Sequence, residues 1–231
     1  MIISMHQPQY IPWLGYFDKI AKSDCFVFLD KVQYKPREFQ NRNKVRAASG
    51  SLWLSVPVIS KDKGRQVIDS VVVDNELPWQ RKHLETFKSC YGKADFFDEH
   101  KEFLNQVYTQ KREGLVDLNI FIIDYILKQL AIALPIYRES ELDIRNTATD
   151  RIIDICRKLK ADTYLSGAGG KEYLEEAKFP QAGIKLLYQD FKHPAYRQQF
   201  MKNAGDFMPC MSILDLLLNE GPKSREIFKR G

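Results

Sequence analysis

The chain has 231 residues, enough for one sizeable core in one compact domain but hardly for two independent domains. Its net charge of +5 comes from Lys and Arg residues spread among many acidic ones, so nucleic-acid binding gains little support, while small anionic ligands remain compatible. No run of about twenty apolar residues and no signal-peptide pattern occurs, which predicts no membrane span and a cytoplasmic location.

The cysteine pattern gives no sign of a disulfide framework or a zinc site. No C-x-x-C pair occurs, and wide spacing favours reduced thiols, so we expect no structural metal. The four cysteines are Cys25, Cys90, Cys156 and Cys210.

The first thirty residues predict a strand, loop, helix and second strand, which together form a βαβ unit. An apolar run over 2–5 indicates a buried strand, and two prolines predict a rigid loop over 6–13. A helix over 14–22 and a strand over 24–30 follow. In a parallel sheet this loop lies where ligands bind. The side chains expected in a pocket there are His6, Gln7, Tyr10 and Trp13. Alternatively, the aromatic rings belong to the core and His6 caps a turn.

Residues 31–50 are polar, rich in amides and without periodicity, which predicts a long functional loop. Amide and guanidinium groups suit the recognition of sugar hydroxyls and phosphates. The candidate ligand-binding side chains are Gln33, Tyr34, Gln40, Asn41, Arg42 and Asn43. A solvated loop is the alternative interpretation.

Two strand signals, over 52–58 and 67–73, precede a helical block over 78–134. We interpret this block as a subdomain or insertion between two α/β halves, 1–77 and 135–231. An apolar helix over 115–134 closes the block. Helical spacing after Pro78 predicts that Trp79, Lys82 and His83 share one face, where a ring, a cation and a proton-transfer group meet one ligand. A core Trp beside a hydrogen-bonded His explains the spacing equally well.

In the C-terminal half, a helix over 151–159 leads to a strand that ends in a glycine turn. The turn is predicted to open a helix at Lys171, so that its N–H groups hold a phosphate or carboxylate. The residues of this predicted anion site are Ser166, Gly167, Gly169, Gly170 and Lys171. The turn matches neither the Walker loop nor the dinucleotide fingerprint, and a tight strand-to-helix turn is the alternative. His193 lies beside a ring and is a further candidate ligand-binding residue.

A strand over 184–188 and a helix over 213–218, preceded by a capping-box pattern at Ser212 and Asp215, complete the predicted elements. The order of strands and helices predicts an α/β fold with a mainly parallel, Rossmann-like sheet and a helical insertion. Nucleotidylyltransferase-like folds are included in this prediction.

Seven motifs, in the same order along the chain, resemble the WbqC-like family. They are HQPQYIPWLGYFDKI, SDCFVFLDKVQY, QNRNK, WLSVPV, PWQRKHLETFKSCYG, TYLSGAGGKEYL and SILDLLLNEG. The resemblance implies a role connected with gene clusters for bacterial O-antigen and related surface polysaccharides. The first two motifs are also similar in layout to the nucleotidylyltransferase-like pantothenate synthetases, with Trp13 and Tyr16 in place of the two histidines of that family.

From this resemblance and the candidate sites we predict a transferase that modifies a nucleotide-linked amino sugar by acyl or aminoacyl transfer. His6, Lys82 and His83 are the candidates for proton transfer, and the partner is a small molecule, either the nucleotide-linked sugar or an acyl donor. The alternative is a non-catalytic ligand-binding or scaffolding protein of the same pathway. The cofactor stays open between ATP, coenzyme A and Mg²⁺, and so does the oligomeric state.

Overall fold

Five parallel strands form the main sheet of the computed structural model, which describes residues 1–60 and 63–231. The seven strands of the described residues are β1 (Ile2–His6), β2 (Cys25–Phe28), β3 (Arg42–Ala47), β4 (Gly50–Ser55), β5 (Ile136–Arg138), β6 (Thr163–Ser166) and β7 (Lys185–Tyr188). The sheet has the order β5-β2-β1-β6-β7. Numbered along the chain, its strands run 3-2-1-4-5, the order of doubly wound nucleotide-binding folds. The predicted Rossmann-like α/β fold is confirmed.

Helices connect these strands and cover the sheet. They are α1 (Leu14–Ala21), α2 (Trp79–Tyr91), α3 (Lys101–Thr109), α4 (Leu115–Leu130), α5 (Ala148–Lys158), α6 (Lys178–Gln181), α7 (Ile213–Glu220) and α8 (Ser224–Phe228). Helices α2, α3 and α4 lie between β4 and β5, where the helical block was predicted. Among the described residues, no helix is both long and apolar enough to cross a membrane.

Alternate side chains of the central strands belong to two hydrophobic cores. Ile3, Met5 and Val27 pack with the apolar side of α5, whereas Phe26 and Phe28 belong to the core that contains α1 and α4. This arrangement follows from the two-residue period of a strand, which sends neighbouring side chains to opposite faces. Both faces of the sheet are therefore buried, as expected for parallel strands.

The prediction of a long loop over 31–50 is wrong for the second half of this segment, because β3 pairs there with β4 in an antiparallel hairpin. Asn43 and Val45 point inward and are fully buried, while Arg42 and Lys44 lie on the other face. The outward cations and the inward asparagine hid the apolar alternation that marks a half-buried strand.

Two other expected elements differ locally. Residues 67–73 hold a short 3₁₀ turn (Ile68–Ser70) with isolated bridges instead of a strand, since the Ile68 N–H donates to Val32 O at 2.9 Å. After β6 the chain forms a 3₁₀ turn (Ala168–Glu172) and not an α-helix. Two consecutive glycines there favour helix poorly.

Helix α7 begins as expected at Ser212, whose Oγ accepts a hydrogen bond from the Leu214 N–H at 3.3 Å. The predicted capping box is incomplete, because the Asp215 carboxylate is turned into the core, where it accepts hydrogen bonds from Tyr196 and Gln198.

Candidate functional site

A cleft lies at the carboxyl ends of β1 and β6, the two neighbouring strands at which the chain order of the sheet reverses. It has two lobes, a larger one of about 530 Å³ and a smaller one of about 370 Å³. His6, Lys19, Gly167 and Gly169 line both lobes, which therefore form one site. Ligands of open α/β sheets bind at such reversal points.

Another cavity, of about 580 Å³, lies between the hairpin and α2. Glu85 is the one charged side chain among its lining residues. This cavity lies away from the carboxyl ends of the parallel strands, so we take the two-lobed cleft as the candidate functional site.

His6 stands at the end of β1, where the strand opens into the proline-rich loop. Its Nδ1 lies 3.1 Å from Gln7 O, and a carbonyl accepts a hydrogen bond only from a protonated nitrogen, so Nε2 carries the lone pair. Burial, helped by the nearby Lys19, lowers the pKa of His6 to about 3. The imidazole is therefore neutral at physiological pH and offers Nε2 as a hydrogen-bond acceptor.

Lys19 projects from α1 to the point where the two lobes meet. Only 3% of the residue is exposed, and its Nζ donates to Met5 O at 3.0 Å. Burial lowers the pKa of this amine to about 7. At neutral pH a large fraction of Lys19 is consequently uncharged.

The larger lobe carries more cations than acids, since Lys35 and Arg151 line it beside Lys19, and Glu172 is the one acidic residue among its described lining residues. The Arg151 Nε lies 3.1 Å from Glu139 Oε1 and 3.2 Å from Asn146 O, so both contacts use Nε and neither engages the terminal Nη groups. Ala148, at the beginning of α5, also lines this lobe, and the first N–H groups of a helix lack intrahelical partners. The lobe therefore combines a guanidinium, an ammonium and a helix N-terminus.

The smaller lobe is aromatic. The Trp13 and Phe191 rings meet edge to face at 5.4 Å, and both line this lobe. The His193 ring is nearly parallel to Trp13 at 6.4 Å. Gly15 permits this arrangement, because a Cβ at this position would lie 2.3 Å from the Trp13 ring. Gln189 ties the lobe to α1 by donating to Gly15 O at 2.8 Å.

The glycine turn after β6 forms the rim of the cleft, as Gly167, Gly169 and Gly170 all line it. Ser166 is buried next to them and donates from Oγ to Gly167 O at 3.1 Å. Lys171 points elsewhere, with its Nζ 5.1 Å from the centre of the Tyr188 ring. The predicted phosphate contact of Lys171 assumed that an α-helix begins there. The chain forms a 3₁₀ turn instead, which places the side chain in a different direction.

Substituting alanine at Gly170 is expected to lower the free energy of unfolding by about 1–3 kcal/mol through overpacking. Its Cβ would lie 2.1 Å from Ser166 Oγ and 3.0 Å from Leu174 Cδ1. Gly169→Ala is the matched control, since no atom lies within 4 Å of its Cβ position. Urea denaturation measures both, and equal losses for the two variants would contradict the prediction.

The predicted face of Trp79, Lys82 and His83 is not formed. Lys82 is exposed, whereas Trp79 and His83 are buried in the core, because the buried side of α2 follows the four-residue spacing of Trp79, His83 and Phe87 and leaves Lys82 in solvent. His83 Nδ1 lies 2.8 Å from the Tyr10 hydroxyl, which also lies 2.7 Å from the Tyr108 hydroxyl. Burial lowers the pKa of His83 to about 4. These side chains lie away from the cleft.

The amide-rich segment supports the first loop from outside the cleft. Asn43 Nδ2 donates to Ile11 O at 3.0 Å, and Gln40 Oε1 accepts from the Lys35 N–H at 2.8 Å. Asn41 Nδ2 donates to Val56 O at 2.9 Å, and Arg42 packs on Trp53 with its guanidinium carbon 4.2 Å from the ring centre. The remaining two candidates of this segment, exposed Gln33 and buried Tyr34, do not line the cleft either.

Of the predicted residues, the structure brings His6, Gln7, Trp13 and the glycine turn together at the cleft, whereas His193 stacks on Trp13 without lining either lobe. Sequence reasoning missed Lys19, Lys35 and Arg151. A lysine on the apolar side of a short helix, four residues after Gly15, was the available signal for Lys19. Arg151 reaches the cleft only through the packing of α5, for which no local pattern exists.

The described residues contain no group of three or more His, Cys, Asp or Glu side chains placed to hold a metal ion. The four cysteines are free, with Cys210 exposed and the other three buried. The lining of the cleft contains nitrogen bases, cations, glycine amides and aromatic rings, together with the acidic side chains Glu172 and Asp190.

Comparison with known proteins gives two matches. The model of the WbqC-like protein family matches residues 7–227. The uncharacterized protein Rv1507c of Mycobacterium tuberculosis is 30% identical over 228 residues, which cover 98% of this chain and 97% of that protein. All residues of the cleft named above except His6 lie within the stretch that the family model matches.

Proposed function

Because the chain belongs to the WbqC-like protein family, we propose that it is an enzyme of bacterial surface-polysaccharide biosynthesis that modifies a nucleotide-linked amino sugar by acyl or aminoacyl transfer. The observation that carries the proposal is the two-lobed cleft at the reversal point of the sheet, with a cationic lobe and an aromatic lobe on either side of His6. One ligand with phosphates and a sugar matches both kinds of lining.

In this proposal the larger lobe holds the phosphates. The Nη groups of Arg151 and the Lys35 ammonium are the donors. The Glu139 carboxylate holds the guanidinium in place through its ion pair with Nε, on the other side from the Nη groups. Lys171 makes no phosphate contact in this proposal, and the glycine turn forms the rim of the lobe. Such paired cations suit a diphosphate better than a single neutral sugar.

The smaller lobe accommodates the sugar against Trp13 and Phe191, with His193 stacked behind the indole. His6 Nε2 then accepts a hydrogen bond from the sugar amine. This hydrogen bond orients the lone pair of the amine toward the acyl donor. Among the three predicted proton-transfer residues, His6 alone lines the cleft.

The charge distribution also supports an anionic substrate. Residues 31–60 contain six Lys or Arg and one Glu, whereas the rest of the chain has equal numbers of basic and acidic residues. Basic residues occur along the whole chain, but their excess over acidic ones falls in the segment that contains Lys35. Such a local excess draws anionic substrates toward a cleft. The free thiols accord with the cytoplasmic location that the proposal assumes.

A thermal-shift experiment with Arg151→Met tests the phosphate contact. A panel of ATP, coenzyme A and nucleotide-linked amino sugars is added to the wild-type protein, and a ligand at a hundred times its Kd adds about 2.7 kcal/mol of stability. We expect at least one nucleotide-linked sugar to raise the Tm by several degrees and Arg151→Met to abolish most of this shift.

Arg157→Met is the matched control, because Arg157 lies on the same helix and is exposed. It should respond to the ligand like the wild-type protein. An undiminished shift in Arg151→Met would contradict the assigned phosphate contact. A clear shift without any product from the acyl donors would favour the non-catalytic binding protein.

A further inference from the structure

The amine of Lys19 is a buried polar group of the cleft. It lies where the two lobes meet, on a residue that is 97% buried, and it comes from a helix whose other buried side chains are apolar or aromatic except for Asp18. The Lys19 amine has no part in the phosphate contacts proposed above.

The surroundings of the Lys19 amine favour its uncharged form. Among the described residues no carboxylate lies within ion-pair distance of Lys19 Nζ, and the neighbouring Asp18 pairs with Lys22 at 2.8 Å instead. Its one hydrogen bond goes to Met5 O. A buried ammonium without a counterion is costly, so the group gives up its proton instead.

The amine is also reachable from the cleft. Gly167 lies beside it, and even a Cβ at that position would remain 3.9 Å from Lys19 Nζ. The larger lobe, with a volume of about 530 Å³, lies within the size range of small-molecule sites. A neutral, desolvated amine that faces a ligand cavity is the form in which lysine acts as a nucleophile.

We propose that Lys19 forms an imine with a carbonyl group of a ligand bound in the cleft, the ligand being an aldehyde or a ketone such as a keto sugar. The lone pair of Nζ attacks the carbonyl carbon, and the carbonyl π electrons move to oxygen. A proton passes from nitrogen to that oxygen. The resulting carbinolamine expels its hydroxyl group, which leaves as water when the nitrogen gives up its last proton, and a C=N bond remains.

This reaction releases one water molecule and needs no oxidant or reductant. It concerns the same cleft as the proposed function but does not rest on it, because imine formation requires only the amine and a carbonyl. His6 lines the cleft together with Lys19, and its neutral Nε2 can accept a hydrogen bond from the carbinolamine.

Reductive labelling of the whole protein tests the proposal. The folded protein is treated with pyridoxal or pyridoxal 5′-phosphate and sodium cyanoborohydride, which converts an imine into a stable amine, and the labelled peptide is identified by mass spectrometry. At pH 7 we expect Lys19 to be labelled at least tenfold faster than the average exposed lysine, with both reagents. Labelling should rise through a pH near 7 rather than near 10.

Lys19→Arg, which keeps a cation but cannot form an imine, should lose this fast phase, and Lys171→Arg should retain it. The two reagents separate the proposals. If pyridoxal labels Lys19 fast and pyridoxal 5′-phosphate labels it no faster, the result supports imine formation and argues against phosphate binding in the larger lobe. An unlabelled Lys19 in folded wild-type protein, with label on exposed lysines only, overturns the imine proposal whatever the nucleotide-sugar experiment shows.

Discussion

Replacing Lys19 with methionine is expected to raise the free energy of unfolding at pH 7 by about 2–4 kcal/mol, an unusual gain for a buried position. The folded protein holds the Lys19 pKa near 7, against an ordinary value of 10.5. Below pH 7 both the folded and the unfolded chain carry this proton, and the folded state bears the full cost of the buried charge. Methionine fills a similar volume without that cost.

The sign of the pH dependence distinguishes this cause from improved packing. Between pH 7 and 10.5 the unfolded chain binds the Lys19 proton and the folded chain does not, so wild-type stability gains about 1.4 kcal/mol per pH unit from this group. The advantage of Lys19→Met should therefore shrink by about 2 kcal/mol between pH 7 and pH 9. Taking the difference between the two proteins cancels the titration of the other groups.

Urea denaturation of both proteins at pH 7 and pH 9 measures this difference, and Lys171→Met, at an exposed lysine, should leave both values nearly unchanged. A gain that stays constant with pH would indicate packing alone, and a loss of stability at pH 7 would contradict the neutral-amine interpretation. Proteins tend to keep a residue that lowers stability where it serves function. A stabilised Lys19→Met that no longer reacts with pyridoxal would thus support a functional amine.

The sequence was sufficient for the fold because its strands follow strong local patterns. The apolar runs that became β1 and β2 are short, buried on both faces and separated by a helix-forming segment, which together favour a parallel sheet. The order of the strands places the first loop beside β6. The location of the candidate site near His6 and Gly167 therefore follows from these strand patterns.

The identity of the cations in that site was not predictable in the same way. Lys171 follows the glycine turn directly, but the 3₁₀ geometry of the turn directs its side chain to Tyr188, and Arg151 from α5 occupies the larger lobe instead. Which cation reaches a cleft depends on the packing of separate elements, and no local pattern encodes it. The buried amide of Asn43 shows the same limit, since its backbone partner is Ile11 O in the first loop, 32 residues away along the chain.

Alanine at Asp215 is expected to destabilise the protein by about 3 kcal/mol and to loosen the segment that forms the smaller lobe. Asp215 is fully buried, and its Oδ2 accepts hydrogen bonds from the Tyr196 hydroxyl at 2.8 Å and from Gln198 Nε2 at 2.7 Å. Without the carboxylate two buried donors lose their acceptor, and each such loss costs about 1–3 kcal/mol.

The same contact links the core to the candidate site, because residues 189–212 run from β7 to α7 and carry Phe191 and His193 to Trp13. Hydrogen exchange measured by mass spectrometry should therefore become faster over 189–212 in Asp215→Ala, while the amides of β1 and β2 stay protected. Asp215→Asn keeps the shape and one acceptor oxygen, so it should lose about 1 kcal/mol and show a smaller change. Faster exchange throughout the sheet would mean that Asp215 stabilises the whole core and does not specifically hold this segment.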